Sequence, residues 1–300
     1  MKRAAILAAL ATSLAFAGRA EAYVRYKAAN GKLFQWSQTC VPMVLYPKDL
    51  VAMMTAAEIE NAVDTSAAAW SAGANPCTYL AISVVTSTDS TPRAMNDGKN
   101  VVIFRDSNWC KQTATGACDP NVPYDPAALA LTSVSAGTSS GIIKDADIEV
   151  NAFHFNWTDL VTHPELEGTS YHDLQNAVTH EMGHVIGLDH TCYLQPPAPL
   201  DQNGNPIPDC ASASPDVLAT TMFPSANPGD VDKRTLAPDD VQGLCDIYPI
   251  AQDPNSCVPP SPPSGGCATA STAGSTAGLA GALALIVASV AARARRRRRG

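Results

Sequence analysis

The chain has 300 residues, 46% hydrophobic and 16% charged, with a formal net charge of -8. This excludes a disordered chain and a coiled coil, and allows one domain of about 200 residues with processing segments, or two small domains. Without residues 1–22 and the last eight, eleven basic groups face 27 acidic ones, a net charge of -16. Phosphate repels such a body, so nucleic acid is not expected as a partner, whereas cations are attracted.

Residues 1–22 read as a signal peptide, with Lys2 and Arg3 first, then an apolar run, then Ala20-Glu21-Ala22 as an A-x-A cleavage site. The mature chain is expected to start at Tyr23. Residues 41–46 (VPMVLY) form a short apolar strand. Thr55 and Glu58 make a capping box, and Ile59, Val63 and Trp70 keep helical spacing up to Gly73. Further strands are expected over residues 79–85, 100–104, 128–134 and 142–150. A second helix covers about 171–187 with Leu174, Val178, Met182 and Val185 as its buried stripe. A third covers 238–248, with Pro238 at its first position and Asp239 and Asp240 facing its positive end. Strands lead and helices follow, which predicts an α+β domain with one mixed sheet over residues 23–250.

Residues 251–266 are rich in Pro and Ser and read as a linker. Residues 267–300 hold Cys267, a small-residue spacer, an apolar stretch and six arginines. This order resembles the C-terminal sorting tails of myxobacterial surface proteins; the alternative is a plain membrane anchor. Either reading puts the body outside the cytoplasm, secreted or held on the outer side of the envelope, and confines any membrane contact to this segment. The eight body cysteines suggest four disulfides, with Cys110–Cys118 and Cys192–Cys210 as the local pairs.

The chemistry lies in His180-Glu181-Met182-Gly183-His184-Val185-Ile186-Gly187-Leu188-Asp189-His190. Histidines at i and i+4 share one helix face and reach one metal ion. Gly187 lets the chain leave the helix and bring back His190 as third ligand. Three imidazoles leave one position open, the pattern of a catalytic zinc site. Glu181, turned about 100° around the axis, reaches water at that position without being a ligand. Downstream, Thr220-Thr221-Met222-Phe223-Pro224 is a candidate Met-turn placing Met222 beneath the imidazoles.

The extended histidine motif with a Met-turn resembles the metzincins, and Thr191 after the third histidine brings the chain close to the matrixins. Residues 145–151 resemble the strand that bacterial members place before the active-site helix, and residues 236–244 their C-terminal helix start. The resemblance implies a five-stranded mixed sheet over an active-site helix, zinc endopeptidase activity and structural calcium. It implies a protein or peptide substrate that lies antiparallel to the edge strand 128–134, touching Ala128, Leu129, Ala130 and Leu131; the chain itself is expected to be a monomer. Phe223 and Pro224 would wall the specificity pocket. The chain departs from the pattern in three ways: it lacks a cysteine switch, has Ala237 at a capping position, and carries a long insert between His190 and Met222.

Asp145, Asp147 and Glu149 share one strand face and are candidate calcium ligands, or a solvated acidic face. Asp201, Asn203, Asn205 and Asp209 read as a turn. His154, His163 and His172 lack ligand spacing. The insert closed by Cys192 and Cys210 is expected beside the cleft. The rival functional class is an adhesion or binding module that keeps zinc without cleaving, against which the intact Glu181 argues.

Overall fold

The computed structural model describes residues 23–47, 54–89, 91–113 and 115–257. The signal peptide, most of the linker and the C-terminal segment lie outside these residues. Among the described residues, no helix is long and apolar enough to cross a membrane.

The framework is a five-stranded mixed sheet with helices packed on it, an α+β arrangement. After the short strand β1 (Val24–Arg25), β2 (Cys40–Tyr46) alternates sharply: Val41, Met43 and Leu45 are fully buried and the residues between them less so. This period of two is what a sheet with one core face requires. Helix α1 (Ala56–Ala69) starts at the Thr55 capping box, in which Glu58 N–H donates to Thr55 Oγ1 and Thr55 N–H to Glu58 Oε2. It crosses over to β3 (Ala81–Thr86), parallel to β2. β4 (Val101–Arg105) lies parallel on the other side of β2. β5 (Cys110–Gln112) and β6 (Cys118–Pro123) form a separate antiparallel hairpin, a feature its polar sequence conceals. β7 (Ala130–Ala136) pairs antiparallel with β8 (Ile143–Asn151), which lies parallel to β4. The sheet order is therefore β3-β2-β4-β8-β7, with β7 as one edge.

The helix expected from residue 171 begins three residues later. Tyr171–Asp173 is strand β10, paired with β9 (Asn156–Thr158), and α2 covers Leu174–Val185. Asp173 explains the boundary, because its carboxylate accepts from Asn176 N–H as N-cap. All twelve residues of α2 are buried, with Leu174, Val178, Met182 and Val185 at 0% exposure. α2 packs on α1, where Trp70 Nε1 donates to Thr179 O at 2.8 Å. Beyond α2 come β11 (Leu188–Asp189), a short helix α3 (Pro215–Leu218) and α4 (Pro238–Ile247).

Four disulfides form: Cys40–Cys257, Cys77–Cys245, Cys110–Cys118 and Cys192–Cys210. They belong to an oxidising environment. The two local pairs were predictable from spacing; the two long ones, spanning 217 and 168 residues, were not. Cys257 draws the chain past residue 250 into the body, where Thr39 N–H also donates to Ser256 O.

Candidate metal centre

The site is built on the last turn of α2. Its terminal carbonyls have no partner within the helix, and both ends of the domain supply one. Trp36 Nε1 donates to Val185 O, Tyr248 Oη to Ile186 O and Tyr26 N to Gly187 O. Gly187 has φ of +97°, and a Cβ there would lie 2.7 Å from Phe34 O. Only glycine turns the chain at this point. β11 then pairs with β1, and the next residue, His190, faces back towards the helix.

His190 Nε2 lies 3.3 Å from His180 Nε2 and 3.2 Å from His184 Nε2. The Nδ1 atoms of the two helix histidines are already committed. His180 Nδ1 lies 2.6 Å from Thr221 O, and His184 Nδ1 2.9 Å from Leu188 O and 3.1 Å from Tyr26 Oη. Carbonyls only accept, so these Nδ1 atoms carry the protons and the two Nε2 atoms present lone pairs. Converging lone pairs repel unless a cation lies between them. Nitrogens bound tetrahedrally at about 2.0–2.1 Å are spaced about 3.3–3.4 Å apart, which the two spacings from His190 match, and all three donors lie within 4.8 Å of one another, within reach of one ion such as zinc. Burial holds both His180 and His190 well below the usual imidazole range, and neighbouring Lys233 and His184 add to this. Neutral imidazole is the ligating form. Among the described residues, these histidines form the one group of three or more that can hold a metal ion.

Beneath the histidines lies Met222, fully buried. A Cβ on Gly183 would come within 2.2 Å of Met222 Sδ and 3.0 Å of Trp70, so the helix admits only hydrogen at that position. The Met222 segment is fixed from two sides. Thr191 N–H donates to Met222 O, and the Thr191 and Thr220 hydroxyls lie 2.9 Å apart. On the other side, buried Asp240 accepts from Thr221 N–H at 2.8 Å, Met222 N–H at 3.4 Å and Ala237 N–H at 2.9 Å. Asp240 thus supplies the cap that Ala237 lacks, and through Thr221 it fixes the carbonyl that orients His180.

Glu181 is 6% exposed and receives a 2.5 Å hydrogen bond from Thr132 Oγ1 of β7 at Oε2. Burial pushes its pKa up, while His184, the Thr132 hydroxyl and Lys233 pull it down. It is placed to accept a proton within the site.

The residues expected to meet a substrate divide into two groups. Ala128 O is taken by Asn151 Nδ2 and Leu129 O by Asn151 N–H. Strand alternation points Leu131 the same way and turns the peptide groups of Ala130 and Thr132 to the open edge. Phe223 and Pro224 are half-buried and follow Met222 directly.

The acidic face of β8 is not solvated. Asp145, Asp147 and Glu149 are 1–2% exposed. Asp145 accepts from Asp97 and Gly98 N–H, Asp147 from Val101 N–H, and Glu149 from Arg105 Nε and Tyr124 Oη. The carboxylates named as calcium ligands are thus occupied by protein donors. His172 is a core residue between Phe155 and Trp157, and His163 lies at the surface with Glu58 and Glu165. The Cys192–Cys210 insert bonds to the N-terminal segment, Lys27 Nζ donating to Leu200 O and Asp201 O, and Gln202 Nε2 to Tyr23 O. With α3 and α4 it walls a cavity of about 860 Å³.

Sequence reasoning passed over Thr132, Tyr26, Lys233 and the Arg234 pairs with Asp159 and Asp173. Asp240 was noted only for its place at a helix start; the second use of its carboxylate is visible only in three dimensions.

No protein-family model matches the chain, and no curated protein matches it. Among solved structures it is similar to the GM1-bound form of the ECX AB5 holotoxin, at 13% identity and a TM-score of 0.39, over 76% of this chain and 89% of that one. It is also similar to myroilysin, at 14% identity and a TM-score of 0.34, over 72% of this chain and 82% of that one. Likenesses this distant add nothing to what the histidine geometry itself says.

Proposed function

We propose that the chain is an exported, zinc-dependent endopeptidase of the metzincin type. The observation that carries this reading is the convergence of three imidazole Nε2 atoms beside a buried carboxylate that is not one of the ligands. His180, His184 and His190 would hold the ion, and zinc, when bound, supplies a Lewis acid that acidifies water and polarises a carbonyl. Glu181 takes the proton of the attacking water on a carboxylate oxygen and returns it to the leaving amine. Thr132 holds that carboxylate in place from the sheet edge. An extended peptide pairs with the outward peptide groups of Ala130 and Thr132, while Phe223 and Pro224 flank its side chain next to the scissile bond.

Metal analysis of the purified protein, with casein and peptide hydrolysis before and after chelation, tests the proposal. The expected result is one zinc per chain, hydrolysis abolished by chelator and restored by zinc. Stoichiometric zinc without hydrolysis of any peptide would favour the non-cleaving binding module instead.

A further inference from the structure

Lys233 is a basic residue set beside the metal centre of a strongly acidic chain. Its backbone N–H donates to Asn176 Oδ1 of α2 at 2.8 Å. Its Nζ reaches the wall that follows Met222, donating to Phe223 O and, at 3.0 Å, to Ser225 O. The ammonium also lies 5.5 Å from the centre of the Phe223 ring. Among the described residues, no carboxylate lies within ion-pair distance of it. Burial lowers its pKa to about 8, against the nearby carboxylates of Glu181, Asp230 and Asp240, which raise it. The carbonyls it holds follow Met222 directly, starting two residues on from the Thr221 carbonyl at His180 Nδ1.

An ammonium has three donors. Two go to neutral carbonyls, leaving one N–H and the positive charge on a half-buried side chain. With no carboxylate in direct contact with it, an anion that reaches this half-buried ammonium gains a charge-assisted hydrogen bond. The anion available to a peptidase cleft is a side-chain carboxylate of its substrate.

We infer that Lys233 is a specificity-determining residue, selecting peptides with Asp or Glu adjacent to the scissile bond. This rests on the peptidase reading and deepens it. The local preference runs against the long-range field of the acidic body, so it belongs to contact with Lys233 rather than to steering.

The test compares kcat/KM for peptide pairs that differ only by Glu against Gln at the residue on either side of the scissile bond. The ratio within each pair cancels general damage to the enzyme. Wild type should prefer Glu by about tenfold or more at one position. Lys233→Met should bring that ratio to near one, and Lys233→Arg should retain most of it. A wild-type ratio near one at both positions overturns the inference. So does a ratio that survives in Lys233→Met. If no peptide is cleaved although zinc is bound, the peptidase reading fails and the inference fails with it; cleavage without Glu preference removes the inference alone.

Discussion

Asp240→Ala tests how the metal centre is supported from outside its ligands. The carboxylate is fully buried and accepts from three backbone N–H groups at 2.8, 2.9 and 3.4 Å. Two are strong bonds to an acidic acceptor, worth about 1.5–3 kcal/mol each, and the longest adds little. Burial raises the pKa of this group and so weakens the charge assistance. The lower half of the range follows, a loss of about 3–4 kcal/mol from stranding one buried and one half-buried donor. The same change frees Thr221, whose carbonyl orients His180. Loss of such support costs about 10–100-fold in metal affinity. Guanidinium unfolding measures the first effect, and competition with a colorimetric chelator the second. Asp240→Asn, keeping one acceptor oxygen, should lie between. A stability loss below about 1 kcal/mol with unchanged metal affinity would refute the supporting role.

His190→Ala should reduce bound zinc well below one per chain, measured by metal analysis; a stoichiometry still at one places the third ligand elsewhere. Thr132→Val, which removes the hydroxyl on Glu181 but keeps its shape, should leave zinc intact and lower kcat/KM by about tenfold. It should also move the acidic limb of the pH profile upward, because that hydrogen bond lowers the Glu181 pKa; an unchanged profile contradicts this. Asp147 is held up to about 8, first by burial and then by Asp145. Folded protein therefore binds its proton more tightly than unfolded, so this stabilisation is present below the ordinary carboxylate range and lost as pH rises through about 8. Asp147→Asn should accordingly raise stability at pH 9 by at least about 1 kcal/mol, or about 2–4 °C in Tm. A gain at pH 4 equal to that at pH 9 would oppose the assignment.

The elements that could be read in the sequence were those with strong local signals. The Thr55–Glu58 box, the alternation of Val41, Met43 and Leu45, and the stripe of α2 depend on near neighbours, and the structure contains each. The order of the sheet is set by contacts between distant strands, and the sequence does not encode it in any single stretch. The same division holds at the candidate site. Histidine spacing is local, whereas Thr132 and Lys233 lie 48 and 53 residues from His180, and Tyr26 lies 158 residues from His184. The acidic alternation of residues 145–149 carried no mark of its burial, because Arg105, Tyr124 and the backbone of residues 97–101 satisfy it from other elements.

The most direct test of the central claim is Glu181→Ala, with zinc content and peptide hydrolysis measured on the same preparation. Removing the base while keeping the three histidines should leave one zinc per chain and lower the hydrolysis rate by about 10²–10⁴. A rate within about tenfold of wild type, with zinc still bound, would contradict the assignment of Glu181 and the mechanism built on it.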